Sequence, residues 1–158
     1  TGETGPVGDV GATGPTGPIA TSTYAFAVNR TGTIIPYMVA SPGTVIPLPD
    51  DQTIGGGMTI NGSDEQIIVP NTGVYFVSFN VRFLTVPSNI SVQVLHNGNG
   101  VPRSLLESTA TNPSSYYAGD FIITLTALDT LSVALFGPGG TVELADDVGA
   151  SLTVIQLA

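Results

Sequence analysis

The stretch Gly73-Val74-Tyr75-Phe76-Val77-Ser78-Phe79-Asn80-Val81-Arg82-Phe83 decides the fold class. Tyr75, Val77, Phe79, Val81 and Phe83 fall on one side of an extended chain; Phe76, Ser78, Asn80 and Arg82 fall on the other. Side chains of a strand repeat every two residues, so this pattern is that of a strand with one face in a core. The next run, 89–96, sets Ile90, Val92 and Val94 against Ser91, Gln93 and, less cleanly, Leu95. Asn97-Gly98-Asn99-Gly100 follows it, a hairpin signal because both residues of a tight two-residue turn must reach positive φ.

Working outward, further strands are predicted at 24–29, 66–70, 116–128, 131–136, 141–145 and 151–158. Turn signals separate them: Pro42-Gly43, Pro49-Asp50-Asp51, Gly55-Gly56-Gly57, Asn61-Gly62, Leu128-Asp129 and Gly137-Pro138-Gly139-Gly140. Nowhere does a helical period persist. Many short strands at this spacing predict an all-β sandwich or jelly roll. In the last of them Val154, Ile155 and Leu157 break strict alternation, as in a strand covered on both faces.

Before residue 20 the period is three. Gly occupies positions 2, 5, 8, 11, 14 and 17, with Pro second in three of the six triplets. Only a hydrogen side chain fits at the axis of a collagen triple helix, and Pro presets its polyproline II conformation. Residues 1–19 therefore read as a collagen-like Gly-X-Y segment, too short to be stable alone, and 20–158 as a head domain. A collagen repeat commits its neighbour to a trimer. Thr4, Thr13 and Thr16, each third in its triplet, are candidates for O-linked sugar. The chain begins in mid-repeat at Thr1-Gly2-Glu3 and reads as a piece of something longer.

Charge narrows the function. The 158 residues carry 12 acidic and 3 basic side chains, a net charge of −9, which disfavours a nucleic-acid surface. Arg30, Arg82 and Arg103 are scattered, and no apolar run is long enough to span a membrane as a helix. Charged residues are only 9 % of the chain, so its surface is expected to be buried against other copies and kept soluble by uncharged polar groups and attached sugar. The absence of Cys rules out disulfides, thiolate chemistry and Cys-bound zinc. With no Trp and only Met38 and Met58, few oxidation targets remain. Three Arg and no Lys leave few basic cleavage points.

Several local motifs, in order along the chain, carry a resemblance. Pro70-Asn71-Thr72-Gly73-Val74-Tyr75-Phe76 resembles a Pro-x-x-Gly-x-Tyr lead into a central strand, and Val94-Leu95-His96-Asn97-Gly98 a strand ending in Asn-Gly. Thr124 to Leu131 resembles a Leu-x-x-Gly-Asp-x-Val turn with Leu128 in place of Gly, and 151–157 a closing strand near a trimer axis. These are features of the complement-1q and tumour-necrosis-factor-like jelly rolls. The Gly-Pro-Thr and Gly-Ala-Thr triplets make the chain most similar to the collagen-like glycoproteins of the Bacillus exosporium. That resemblance implies a homotrimeric head that nucleates a sugar-bearing stalk on the outer layer of a bacterial spore, without enzymatic activity.

Individual sites weigh little beside this. The lone His96 adjoins a turn, and no Gly-x-Ser-x-Gly elbow exists to make it part of a hydrolase. Gly55-Gly56-Gly57 lacks the Lys and Ser/Thr of a phosphate loop. The pairs Asp50-Asp51, Asp64-Glu65 and Asp146-Asp147 lack calcium-loop spacing and read as solvated turns; if calcium binds at any of them, Asp146 and Asp147 are the candidates. Sequons begin at Asn29, Asn61 and Asn89 and are expected to be idle in a bacterial protein. The alternative function is recognition of a host protein or glycan at loops such as 107–115, on a bacterial or bacteriophage collagen-like fibre. A lectin role predicts an exposed cluster of aromatic ring and carboxylate.

Overall fold

In the computed structural model, which describes residues 1–5, 22–39, 42–87 and 89–158, the alternating stretch is a ten-residue strand at the centre of a β-sandwich. Thr13 and Thr16 and most of the collagen-like period lie outside the described residues. The strands, in order, are β1 (Tyr24–Asn29), β2 (Ile34–Tyr37), β3 (Thr44–Val45), β4 (Asp50–Gly55), β5 (Thr59–Ile60), β6 (Ile67–Ile68) and β7 (Gly73–Arg82). They continue with β8 (Ser91–His96), β9 (Asn99–Gly100), β10 (Leu106–Glu107), β11 (Tyr116–Leu125), β12 (Thr130–Phe136), β13 (Gly140–Glu143) and β14 (Ala150–Gln156). A single 3-10 turn, Pro102–Ser104, is the helical element among the described residues.

One sheet has the order β11-β7-β14-β1-β4 and the other β10-β8-β12-β6-β5, with β3 on β12 and β9 on β8; β13 and β2 form a separate pair. The registered strand pairs are antiparallel throughout. The last strand lies between β1 and β7, so the two ends of the domain are tied into one sheet. Tyr75, Val77, Phe79 and Val81 of β7, with Leu152 and Val154 of β14, form one wall of the core; Val92, Val94, Leu131, Val133 and Leu135 belong to the opposing sheet. Each large apolar side chain so buried contributes about 1.5–3 kcal/mol relative to exposure.

The family-like motifs acquire physical causes here. Gly73 is glycine because an added Cβ would stand 2.2 Å from the Ala158 carbonyl oxygen. Tyr75 is buried, and its hydroxyl donates to the Asn71 carbonyl at 2.7 Å, closing the turn that Pro70 opens. Leu128 sits at φ +73°, the left-handed conformation in which glycine carries no penalty, while its N–H donates to the Val69 carbonyl.

Two sequence readings are revised. Pro49-Asp50-Asp51, predicted as a turn, opens the edge strand β4: Asp51 and Gln52 lie opposite the single residue Ala27, and Asp51 takes φ +42° to absorb the extra residue of this β-bulge. The alternation in β8 does not separate core from solvent. Ser91, Gln93 and Leu95 are buried as well, with Ser104 of the 3-10 turn accepting from the Val94 amide and the Gln93 amide reaching the Pro42 carbonyl.

Candidate functional site

The face of the five-stranded sheet turned away from the core carries a run of apolar side chains. Register places Ile122 opposite Phe76, Phe76 opposite Ile155, and Ile155 opposite Tyr24, forming one apolar row across four strands. Ile122, in the ten-residue edge strand β11, is 53 % exposed and Tyr24, the first residue of β1, is 39 % exposed, and both are in register with their neighbours. Gly55 completes the row. A Cβ there would stand 2.8 Å from carbons of the Tyr24 ring, so the glycine lets that ring lie across β4. Val74 and the 51 %-exposed Leu157 extend the apolar surface; the Leu157 N–H donates to the Val74 carbonyl.

Farther along the same face the side chains turn polar. Asp120, Ser78 and Thr153 form the next row with Phe26, and Ala118, Asn80 and Ser151 the one after, where Asn80 donates to Ser151. The apolar end is also the end at which the chain enters the domain. The Thr23 carbonyl accepts from the Gln156 N–H, and Val74 donates to the Ala158 carbonyl, so both ends of the domain meet beside the row. A contiguous exposed apolar surface bordered by polar residues marks an interaction site.

The other candidates are engaged locally. Nε2 of His96, at the end of β8, is 2.8 Å from Oδ2 of Asp129, and the Asn97 amide donates to Oδ1 of the same carboxylate at 2.7 Å. Burial pushes the Asp129 carboxyl up, but hydrogen bonds from Asn97, the Thr126 amide and His96 outweigh it and hold the group below the ordinary aspartate value. The cluster thus ties the Asn97 hairpin to the Leu128 turn. Sequence reading placed His96 beside a turn and did not pair it with Asp129, 33 residues away; the resemblance of both segments to turn motifs was the available signal.

Asp146 and Asp147 do not converge with other ligands. Asp147 is hydrogen-bonded by the Val148 amide and by Arg82, which together lower its carboxyl. Gly32 makes room for the Asp146 carboxylate. Asp50 and Asp51 receive the backbone and side chain of Arg30, and Asp64 accepts from Gln52. Among the described residues no three His, Asp or Glu side chains gather around a metal-sized space. Thr4 is exposed. Of the sequon asparagines, Asn29 is fully buried, its amide donating to the Pro47 carbonyl, and Asn89 is turned to φ +55° to accept from the Ala110 amide.

The family model of the BclA C-terminal domain matches residues 25–158, which is the whole sandwich from the second residue of β1. The chain belongs to the BclA C-terminal domain family. No curated protein matches it in sequence. Among solved structures this BclA-type domain is similar to Eiger TNF from S. frugiperda, at 17 % identity and a TM-score of 0.56, over 87 % of this chain and 94 % of that one. It is also similar to rabbit GITRL, at 15 % identity and a TM-score of 0.53 over 87 % and 95 % of the two chains. Pika GITRL, at 14 % identity and 0.52, is matched over 87 % and 97 %. At these identities the likeness concerns the fold, and it establishes the TNF-like jelly roll. Among the described residues no helix is long and apolar enough to cross a membrane.

Proposed function

We propose that the BclA-type domain is a non-enzymatic, self-associating head: three copies pack the apolar ends of their five-stranded sheets around a common axis and so hold three collagen-like segments together. The observation that carries this reading is the row Ile122–Phe76–Ile155–Tyr24, exposed at Ile122 and Tyr24 and half-buried at Phe76 and Ile155, on the sheet face beside the first strand of the head. A repeat that needs three chains, feeding a sheet face that needs a cover, supports a threefold partner of the same sequence. The low charge of the chain supports it too.

Membership of the BclA family, taken with the collagen-like period, supports a place on the exosporium of a bacterial spore, with the head outward and Thr4, Thr13 and Thr16 of the stalk available to O-linked sugar. In that setting the head serves as a structural cap and a surface for adhesion. Sedimentation of the full chain beside Ile122→Asp tests the packing. Ile122 is exposed in the single chain, so the variant folds; the wild type sediments as a trimer and the variant as a monomer. A variant that sediments like the wild type would remove this face from the contact.

A further inference from the structure

At the end of β11 away from Ile122, the seam between the two sheets opens into a groove of about 340 Å³ lined by Leu106, Glu107, Ser114, Tyr116, Tyr117 and Ala118. It lies between the edge strands β10 and β11. Tyr116 is 56 % exposed, offering an aromatic ring to solvent. Beside it Glu107 has one carboxylate oxygen held by the Ser91 hydroxyl, at 3.3 Å. The buried Tyr117 hydroxyl makes no hydrogen bond of ordinary geometry.

The walls are fixed before any ligand arrives. Ser114 Oγ donates to the Tyr116 carbonyl and accepts from the Tyr116 amide, which sets the start of β11. Ser108 is hydrogen-bonded to the Ile90 backbone, and the Asn89 side chain holds the Ala110 amide. Preorganisation of this kind lowers the entropy lost on binding.

The charge selects the ligand. None of the three arginines pairs with Glu107: Arg30 is held by Asp51, Arg82, which stands opposite Tyr116 on β7, by Asp147, and Arg103 by the Ile122 carbonyl. Among the described residues no salt bridge neutralises Glu107, and with a net charge of −9 the chain disfavours an anionic ligand there. What fits a flat ring, a carboxylate with no cationic partner and a space near the lower end of ligand pockets, about 300–1,000 Å³, is a small neutral molecule with an apolar face and hydroxyl donors. We propose that this groove is a carbohydrate site for one neutral sugar unit, its C–H face on the Tyr116 ring and its hydroxyls donating to Glu107.

The test is a titration of the full chain, followed by amide chemical shifts, with the methyl glycosides of glucose, mannose, galactose and N-acetylglucosamine. Methyl glucuronide and a tri-arginine peptide are the charged controls. A neutral glycoside should shift the amides of Leu106, Glu107, Ser114 and Tyr116 saturably, with a dissociation constant of about 1 mM, typical of a single small contact. Tyr116→Ala should weaken binding about tenfold and Tyr116→Phe leave it unchanged, because the ring face supplies the contact. Glu107→Gln should weaken it as well, and as an exposed position it keeps the test informative if the Tyr116→Ala chain does not fold. Failure of every neutral glycoside to shift these amides would overturn the proposal. So would binding of the peptide in their place, or shifts that follow protein concentration alone, which would make the groove a contact between copies.

Discussion

Phe76 of β7 lies directly opposite Ile155 of β14, and both side chains stand on the sheet face that turns away from the core. Neither belongs to the sandwich interior; both are half-buried on the outer face, and what remains exposed of them can be covered only from outside the single chain. Ile155→Ser should therefore weaken self-association far more than folding. Losing most of a buried Ile side chain removes about 1.5–3 kcal/mol per contact, or roughly tenfold to a hundredfold in affinity. A dilution series followed by sedimentation should show half-dissociation at a correspondingly higher concentration, with the urea midpoint of the dissociated chain nearly unchanged.

Leu128 holds a conformation meant for glycine, at φ +73°, and is 76 % exposed, so its side chain has little packing to lose. A left-handed non-glycine residue carries a cost of about 1–2 kcal/mol, part of which glycine gives back through its freer unfolded chain. Leu128→Gly should accordingly stabilise the domain by up to about 1 kcal/mol, and Leu128→Val should destabilise it, as read from urea unfolding.

Gly73 presents the reverse case. Its backbone approaches the Ala158 carbonyl so closely that Gly73→Ala forces the chain end away from β7, where Val74 donates to that same carbonyl. The expected loss is about 1–3 kcal/mol, the usual penalty of inserting a methyl where none fits. Tyr75→Phe, which deletes the donor to Asn71, should cost about 1 kcal/mol by the same assay.

Asp129 makes the stability depend on acid. Its carboxyl is held below the ordinary aspartate value in the folded chain, so the unfolded chain takes up the proton first as pH falls. The contribution is fully present above the unfolded pKa and is lost as pH drops through the folded one. Urea midpoints measured from neutral pH downward should fall in that window. Asp129→Asn should lower stability at neutral pH and flatten the acid side of the profile.

Much of this fold was legible because β-strands announce their faces. Residues 73–83 alternate cleanly, and the core side of β7 is the side the sequence assigned; β1 and the start of β11 likewise agree with their predicted spans. The short strands β2, β3, β5, β9 and β10, mostly of two residues, were beyond reach because no period can be read from so few positions. β4 was hidden by its own bulge, since a Pro-Asp-Asp sequence that reaches positive φ reads as a turn. The outer apolar row was visible only in fragments. Phe76 stood on the polar side of its strand, and Ile155 and Leu157 broke the alternation of theirs. Joining them with Tyr24 and Ile122 required the register between strands far apart in sequence. The seam groove is of the same kind, although residues 107–115 and the pairing of an aromatic ring with a carboxylate had been expected for a recognition surface.

The most direct test of the central claim is the solution mass of residues 20–158, without the collagen-like segment, by light scattering across a dilution series. The account predicts a mass that holds at three chains as the sample is diluted, each chain slightly below the 16.1 kDa of the full sequence. A mass of one chain at every concentration would contradict it, leaving the apolar row to another partner and the head as a passenger on its stalk.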